Sequence, residues 1–260
     1  MKKLIPLLLL VIAWPTWAQR QFDVEVIIFK RAVDAEQTSE SWPNSVEAIN
    51  LDKTGYMSDS NYRKKKGVSL LSASSYELKE EAEKLRRHAG FEVLMHTAWR
   101  QGDQGRFSAP SFRIRAGRDF SKQFHPDGTQ ISGDTVVPLD GQLTEQNVPS
   151  PIYELDGKLQ IYVEHYLYAD VVLDLKAPSV RKITLEDKPL EFETRTDLGS
   201  DDNSQNIQVG MMEDVTPEVT VESFLKHYRM DQKRRMRSSE THFLDHPLLG
   251  MIIQVRRVNN

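Results

Sequence analysis

The most regular hydrophobic pattern in this 260-residue chain lies near its start. Phe22, Val24, Val26 and Ile28 alternate with other residues, as expected for a strand whose successive side chains point to opposite faces. At Ile27–Phe29 both faces become apolar. A strand that is apolar on both faces is covered on both faces. The pattern therefore predicts a strand in the interior of a sheet.

A helix is predicted from Ser75 to Ala89, where the hydrophobic period lengthens. Ser75 is a favourable N-cap residue, and Gly90 follows as a stop signal. The predicted inner face has apolar residues three to four positions apart: Leu78, Ala82, Leu85 and Ala89. A strand from Phe91 to Trp99 is predicted directly after the helix.

The middle of the chain is rich in turn residues. Residues 33–67 are polar and predict a long loop or two short excursions. Among the many Gly and Pro residues that follow, Phe112–Arg115 alternates well enough to predict a strand. Leu155–Leu159 contains Asp-Gly and predicts a tight turn. Gln160–Leu175, rich in Tyr and β-branched residues, predicts a long strand or a bent pair of strands.

The last part of the chain alternates between charged and apolar segments. Asp197–Asn206 is acidic and predicts a loop, whereas Val219–Arg237 is strongly basic. Ser239–Leu244 and Met251–Val255 predict two further strands. The fold class predicted from these patterns is α+β: a single compact unit with long loops, formed mainly by antiparallel sheet with a helix between early strands.

The first 18 residues have the layout of a cleavable signal peptide. Lys2 and Lys3 precede the apolar run Leu4–Ile12, and small residues stand near Ala18. We expect cleavage after Ala18 and a mature periplasmic domain of residues 19–260 without a transmembrane span; the alternative is a retained N-terminal anchor. Loss of the two lysines would change the net charge from −4 to −6. An exported acidic protein is a poor candidate for binding nucleic acid.

Two short matches to penicillin-interacting enzymes are present. Ser223–Lys226 fits S-x-x-K and Lys53–Gly55 fits K-T-G. Their order along the chain is reversed relative to those enzymes, and no S-x-N element lies between them. Both matches are short enough to arise by chance. The sequence therefore predicts no catalytic site and no cofactor, with an unrecognised peptidoglycan-modifying enzyme as the alternative.

Three potential metal ligands, His242, Asp245 and His246, lie within five positions. On an extended strand the two histidines would be about 13 Å apart, too far to share one ion unless the chain turns. Asp and His before Pro247 are also good turn formers. We therefore favour a structural role and predict no metal.

The basic segment is the best candidate for a binding surface. Arg234, Arg235 and Arg237 can offer guanidinium groups to carboxylates, and Tyr228 can offer an aromatic face to sugar rings. The alternative is an edge strand protected from unwanted pairing by positive charge. Trp42, in a polar loop, is a further candidate for peptidoglycan binding, because an exposed ring there could stack on sugars; the alternative is a satellite core under the loop.

Four blocks in order along the chain resemble the CsiV family of periplasmic peptidoglycan-binding proteins of Gram-negative bacteria. They are Phe22–Arg31, Leu94–Gln101, Leu155–Gly157, and Arg234–Ser238 leading into Leu244–Met251. The resemblance implies non-catalytic peptidoglycan binding and a role in peptidoglycan assembly and cell shape. It further implies partnership with an outer-membrane lipoprotein of the LpoA type that activates a class A penicillin-binding protein. An adaptor or chaperone-like interaction protein is a further alternative.

Overall fold

Two antiparallel sheets form the framework of the molecule. The computed structural model describes residues 20–131, 150–184 and 219–258, and within these ranges nine strands and two α-helices are present. The strands are β1 (Gln21–Arg31), β2 (Ser69–Leu70), β3 (Phe91–Gly102), β4 (Ser111–Asp119), β5 (Tyr153–Val163), β6 (Leu167–Thr184), β7 (Val219–Met236), β8 (Thr241–Asp245) and β9 (Leu249–Arg257).

The strands are divided between a five-stranded sheet, in the order β2-β3-β1-β9-β8, and a four-stranded sheet, in the order β4-β5-β6-β7. The helices are α1 (Ser60–Lys66) and α2 (Lys79–Arg87), and short 3-10 turns occupy Ala35–Gln37 and Ala73–Ser75. The fold is thus mainly antiparallel sheet with two helices among the described residues, and it is broadly α+β, as predicted.

The main core lies between the two sheets. Val24, Val26 and Ile28 of β1 pack in one hydrophobic cluster with side chains of the four-stranded sheet, among them Leu159 and Leu173. Each fully buried side chain of this size stabilises the fold by about 1.5–3 kcal/mol. The alternating pattern near the start of the chain is therefore the inner face of a two-sheet sandwich.

The second apolar face of β1 packs against helix α2. Ile27 and Phe29 form a smaller cluster with Leu78 and Ala82. Strand β1 pairs with β3 on one side and with β9 on the other. The prediction of a strand in the interior of a sheet is confirmed, because β1 is covered on both faces and paired at both edges.

Helix α2 is shorter than predicted, and Ser75 is not its cap. Ser75 belongs to the preceding 3-10 turn, and the N-cap residue Leu78 makes no side-chain capping bond. The carboxylate of Glu25 accepts hydrogen bonds from the backbone N–H groups of Glu77 (2.8 Å) and Leu78 (2.9 Å) instead. The helix start is therefore fixed by a side chain of β1, and the prediction of a Ser75 cap was wrong.

The predicted tight turn at Leu155–Leu159 is also wrong. These residues lie inside β5, where a Cβ atom on Gly157 would collide with the backbone carbonyl of Val172 in the neighbouring strand. The glycine permits a close approach of β6 and does not make a turn. The chain reverses at Glu164–Tyr166, so the predicted strand of Gln160–Leu175 is divided between β5 and β6, as the bent-pair alternative proposed.

The remaining local predictions have mixed outcomes. Strands β4, β8 and β9 include the predicted segments Phe112–Arg115, Ser239–Leu244 from Thr241 onward, and Met251–Val255. The polar stretch 33–67 contains helix α1, which the sequence pattern did not predict. The predicted signal peptide and the acidic segment Asp197–Asn206 lie outside the described residues.

Candidate functional site

The basic segment forms the edge of the four-stranded sheet. Strand β7 pairs with β6 along its whole length, with Arg235 opposite Tyr168 and Arg234 opposite Ala169. Arg234 shares its strand face with the core residues Met230 and Met236, whereas Arg235 lies on the outer face of the sheet. The expected opposite orientation of Arg234 and Arg235 is therefore observed.

The three arginines lie at the exposed end of β7, which we call the basic tip (Arg234, Arg235 and Arg237). The guanidinium of Arg235 lies 4.6 Å from the ring centroid of Tyr166, itself an exposed residue. The side chain of Arg237 is 80% exposed and lies 3.6 Å from the Glu240 carboxylate. Charged groups with this exposure are accessible to an external ligand.

Beside the basic tip, two stacked tyrosines lie on the outer face of the sheet. The rings of Tyr162 and Tyr168 are 5.4 Å apart and inclined by 23°. The Lys233 ammonium lies 5.0 Å from the Tyr168 centroid, and the Arg106 guanidinium lies 6.0 Å from the Tyr162 centroid. These distances are typical of cation–π contacts. The Tyr162 hydroxyl is buried and has no hydrogen-bond partner among the described residues.

The sequence analysis did not identify this stack of tyrosines and cations. Its residues come from β5, β6, β7 and the loop before β4, and only the strand register brings them together. Once the turn at Glu164–Tyr166 is known, Tyr162 and Tyr168 are opposite each other in the hairpin. The sequence analysis missed the pair because it did not place that turn.

Trp42 and Tyr228 pack against each other in a satellite core. Their ring centroids are 5.6 Å apart, and the Trp42 ring lies 4.9 Å from that of His246. Tyr228 is only 2% exposed, and burial together with the nearby Glu36 carboxylate raises the pKa of Tyr228 to about 12. Of the two interpretations of Trp42, the satellite core is the one observed.

The three potential metal ligands have separate environments. The His242 imidazole accepts a hydrogen bond from the backbone N–H of Arg237 (3.1 Å), and Asp245 pairs with Arg31. Buried His246 accepts a bond from the backbone N–H of Leu248 (3.3 Å). Across residues 20–131, 150–184 and 219–258, no group of three or more His, Asp and Glu side chains is placed to hold a metal ion.

The two enzyme-like motifs differ in structure from their counterparts. Ser223 lies on strand β7 and not on a helix, and the Lys226 ammonium pairs with Glu36 at 2.9 Å. Lys53 lies in the irregular segment before Gly55 and not on a late strand. The geometry thus provides no support for the acyltransferase assignment of these motifs.

The outer face of the four-stranded sheet is crossed by residues 44–54, which we call the crossing segment. The Lys158 ammonium donates a hydrogen bond to the carbonyl of Asn50 (2.9 Å), and Gly55 then pairs alongside Phe112 in β4. Two grooves flank this segment. The smaller, of about 430 Å³, includes Asp174 and Lys176.

The larger groove, which we call the outer-face groove, has a volume of about 870 Å³. Its floor is formed by polar residues of the sheet, and its walls are formed by the crossing segment, the end of α1 and the loop before β4. Representative side chains are Lys53, Lys65, Phe107, Lys158, Asp170 and Asp231. A groove of this volume is in the size range of small-ligand sites.

Several carboxylates near these surfaces are held by fixed partners. Burial alone would raise the pKa of Asp174, but two hydrogen bonds of 2.8 Å from Arg229, assisted by His227, lower that pKa below its ordinary value. Burial lowers the pKa of Lys176. Asp174 is thus a charged structural anchor of the sheet.

Comparison with known proteins assigns the chain to a class. The family model described as peptidoglycan-binding protein, CsiV, matches residues 3–258. The chain therefore belongs to the CsiV family of peptidoglycan-binding proteins, which confirms the resemblance noted in the sequence. No curated protein and no solved structure matches the chain. Among the described residues, no helix is both long enough and apolar enough to span a membrane.

Proposed function

We propose that this protein, after export and cleavage behind Ala18, acts in the periplasm as a non-catalytic peptidoglycan-binding protein that supports peptidoglycan assembly and cell shape. It does so together with an outer-membrane lipoprotein of the LpoA type and the class A penicillin-binding protein which that lipoprotein activates. Membership of the CsiV family supports the binding role, and the layout of the first 18 residues supports export.

The observation that carries the proposal is the basic tip beside the exposed Tyr166 and the half-buried Tyr168. Arg235 lies over Tyr166, and Lys233 lies over Tyr168. Guanidinium groups bind the carboxylates of wall peptides in charge-assisted hydrogen bonds, and aromatic rings pack against the apolar faces of sugars. One surface therefore offers both kinds of contact that a glycan substituted with peptides requires.

Tyr228 and Trp42 have a supporting part in this proposal. Both rings pack in the satellite core beneath the middle of β7, where Tyr228 is almost completely buried. Their contribution is to hold β7 in place so that the basic tip keeps its orientation. Removing either ring would affect binding through the position of the strand.

Co-sedimentation with purified sacculi tests the proposal. The mature protein (residues 19–260) is compared with the triple variant R234A/R235A/R237A at low and moderate salt. A matched control, K84A/R86A/R87A, removes three exposed cations from α2 on the opposite side of the molecule. We expect wild type and control to sediment with sacculi and the triple variant to bind about tenfold more weakly.

Wild-type protein that stays in the supernatant at low salt would contradict wall binding. Equal binding by the triple variant would keep the binding role and reject the basic tip as its site. Digested sacculi are analysed in parallel, because release of muropeptides that depends on His242 or Asp245 would show an enzyme. A pull-down with the lipoprotein and synthase tests the partnership, and recovery of many unfolded clients would favour the adaptor alternative.

A further inference from the structure

Several charged side chains in the outer-face groove have no ionic partner among the described residues. Five basic and three acidic side chains line it. Some are engaged locally: Lys66 donates to the Ser108 carbonyl (2.9 Å), and Arg106 pairs with Asp170 (3.3 Å). Lys53, Lys65, Asp52 and Asp231, in contrast, form no ion pair with any residue that the structure describes. The groove therefore offers two ammonium groups, on Lys53 and Lys65, and two carboxylates, of which Asp231 lies on the sheet and Asp52 next to Lys53.

Stabilisation of helix α1 explains only part of this pattern. Cations in the last turn of a helix interact favourably with its dipole, by about 0.3–1 kcal/mol each. Arg63, Lys64, Lys65 and Lys66 occupy that turn. Lys53 comes from the irregular crossing segment, and Asp231 comes from strand β7, so neither has this role. Their convergence on one groove calls for a further explanation.

Phe107 adds an apolar contact at the groove. Its side chain is 97% exposed although it is one of the largest apolar residues, so it contributes almost nothing to the core. It also lines the groove next to Arg106. An aromatic ring in this position can pack against methyl groups or a sugar ring of a bound molecule.

The groove is continuous with the proposed wall-binding surface. Arg106 lines the groove and also lies over the ring of Tyr162, which stacks on Tyr168 below Lys233. The floor residues Lys158, Gln160 and Asp170 lie on the same outer face of the sheet as Arg235. A ligand that contacts the basic tip can therefore extend into the groove.

We propose that the outer-face groove binds the stem peptide of peptidoglycan. The peptide carboxylates pair with Lys53 and Lys65, a free side-chain amine of the peptide pairs with Asp231, and Phe107 packs against its methyl groups. This assignment rests on the proposed peptidoglycan-binding function and names the part of the polymer that is recognised. The glycan backbone is mostly neutral, so separate positive and negative groups fit the zwitterionic peptide better than the sugars.

Titration calorimetry with defined fragments tests the assignment. The mature protein is titrated with a free tetrapeptide that carries an unacylated diamino acid and with the disaccharide tetrapeptide. The third probe is glycan strands from which an amidase has removed the peptides and whose freed lactyl carboxylates have been converted to amides, so that the glycan stays neutral. We expect both peptide-containing probes to bind and the peptide-free glycan to bind more weakly. The double variant K53A/K65A should lose about tenfold in affinity for the tetrapeptide, with a smaller loss at high salt.

The control variant is K64A/K122A, because both lysines are exposed and neither is among the groove residues. It should bind the tetrapeptide like wild type. Asp231→Asn should weaken the binding of the peptide with a free side-chain amine. It should leave the binding of a peptide acetylated at that side-chain amine unchanged. In unmodified protein, saturating tetrapeptide should protect Lys53 and Lys65 from acylation while Lys64 stays reactive, a result that requires no variant to fold.

Each result has a defined meaning. Unchanged tetrapeptide affinity in K53A/K65A, or no protection of the two lysines, would overturn the groove assignment. Preference for peptide-free glycan would overturn the assignment to the peptide while sacculus binding stands. Failure of wild type to sediment with sacculi would instead reject the proposed function itself.

Discussion

The outer faces of the two sheets differ in how much of their charge is buried and paired. On the five-stranded sheet, helix α2 covers the surface, and the carboxylate of Glu25 is 0% exposed. It accepts bonds from two backbone N–H groups, from His96 (2.9 Å) and from Arg256 (2.9 Å). On the four-stranded sheet, the crossing segment covers only part of the surface, and groove charges such as Asp231 stay exposed.

The difference follows from solvent access. A buried carboxylate is tolerated only when hydrogen bonds and opposite charges replace its hydration. An exposed charge keeps its hydration and needs no fixed partner, so it is available to a ligand. The covered surfaces around Glu25 and Asp174 therefore use charge to fix the fold, and the open part of the four-stranded sheet keeps charge for binding.

The largest expected effect is on the covered face. Glu25→Ala would leave Arg256, His96 and two helix N–H groups without their acceptor, and we expect it to destabilise the fold by about 3–5 kcal/mol. Chemical denaturation of the mature protein measures this loss. The control Glu83→Ala breaks an exposed pair with Arg86 on the same helix and should cost less than about 1 kcal/mol. Equal losses of unfolding free energy in Glu25→Ala and Glu83→Ala would show that the buried carboxylate matters no more than an exposed one.

The second prediction concerns pH. Burial alone would raise the pKa of Glu25, but its hydrogen bonds lower that pKa below the ordinary value of 4.5. A carboxylate with a lowered folded pKa stabilises the fold fully above its unfolded pKa, and this contribution is lost as the pH falls through the folded pKa. The free energy of unfolding should thus fall below about pH 4.5 in wild type and less steeply in Glu25→Gln. Parallel slopes would show that Glu25 does not contribute.

The third prediction concerns the buried hydroxyl of the open face. Tyr162→Phe removes a hydroxyl that has no partner among the described residues, while the ring keeps its stack on Tyr168. We expect the free energy of unfolding to stay within about 1 kcal/mol of wild type. Thermal and chemical denaturation measure this free energy. Tyr62→Phe is the contrast: the Tyr62 hydroxyl donates to the Ser111 carbonyl (2.8 Å), so its removal should destabilise the fold more. A large loss in Tyr162→Phe would show that this hydroxyl is used in the fold.

The smallest expected effect is on the exposed groove charges. K53A/K65A should change the free energy of unfolding by no more than about 0.5 kcal/mol per substitution, because exposed charges without partners contribute little. Denaturation of the same preparations used for ligand titration gives this value directly. A loss as large as that of Glu25→Ala would mean that the lysines serve the fold and not a ligand.

The local hydrophobic pattern was sufficient to predict the strands whose side chains are buried in the core. The alternation in β1 and the apolar run of β9 gave the right strands, since their side chains face the core. Strand β8 was predicted in part, and only Leu244 of it is in the core. The start of α2 was not predictable in this way, because its cap is Glu25, more than 50 positions earlier in the sequence. The Asp-Gly signal at Gly157 was overridden by the approach of β6.

Of the candidate binding surface, only the exposed charged residues could be predicted from the sequence. The exposed arginines at the end of β7 follow from their number and spacing, and the burial of Tyr228 was missed because its partner Trp42 is distant in sequence. The outer-face groove was not predictable at all. Its lining comes from several elements, and no local pattern specifies which of them meet.

The pairing of β1 with β9 has a consequence for the order in which the molecule can form. Among the described strands, the first along the chain lies at the centre of its sheet, and one of its two neighbours is the last. Pairing between segments so far apart in sequence is slow. The five-stranded sheet can close only after β9 has been made, so β1 lacks one of its two neighbours until then. Such delayed closure is compatible with the proposed export, in which the polypeptide would cross a membrane before it folds.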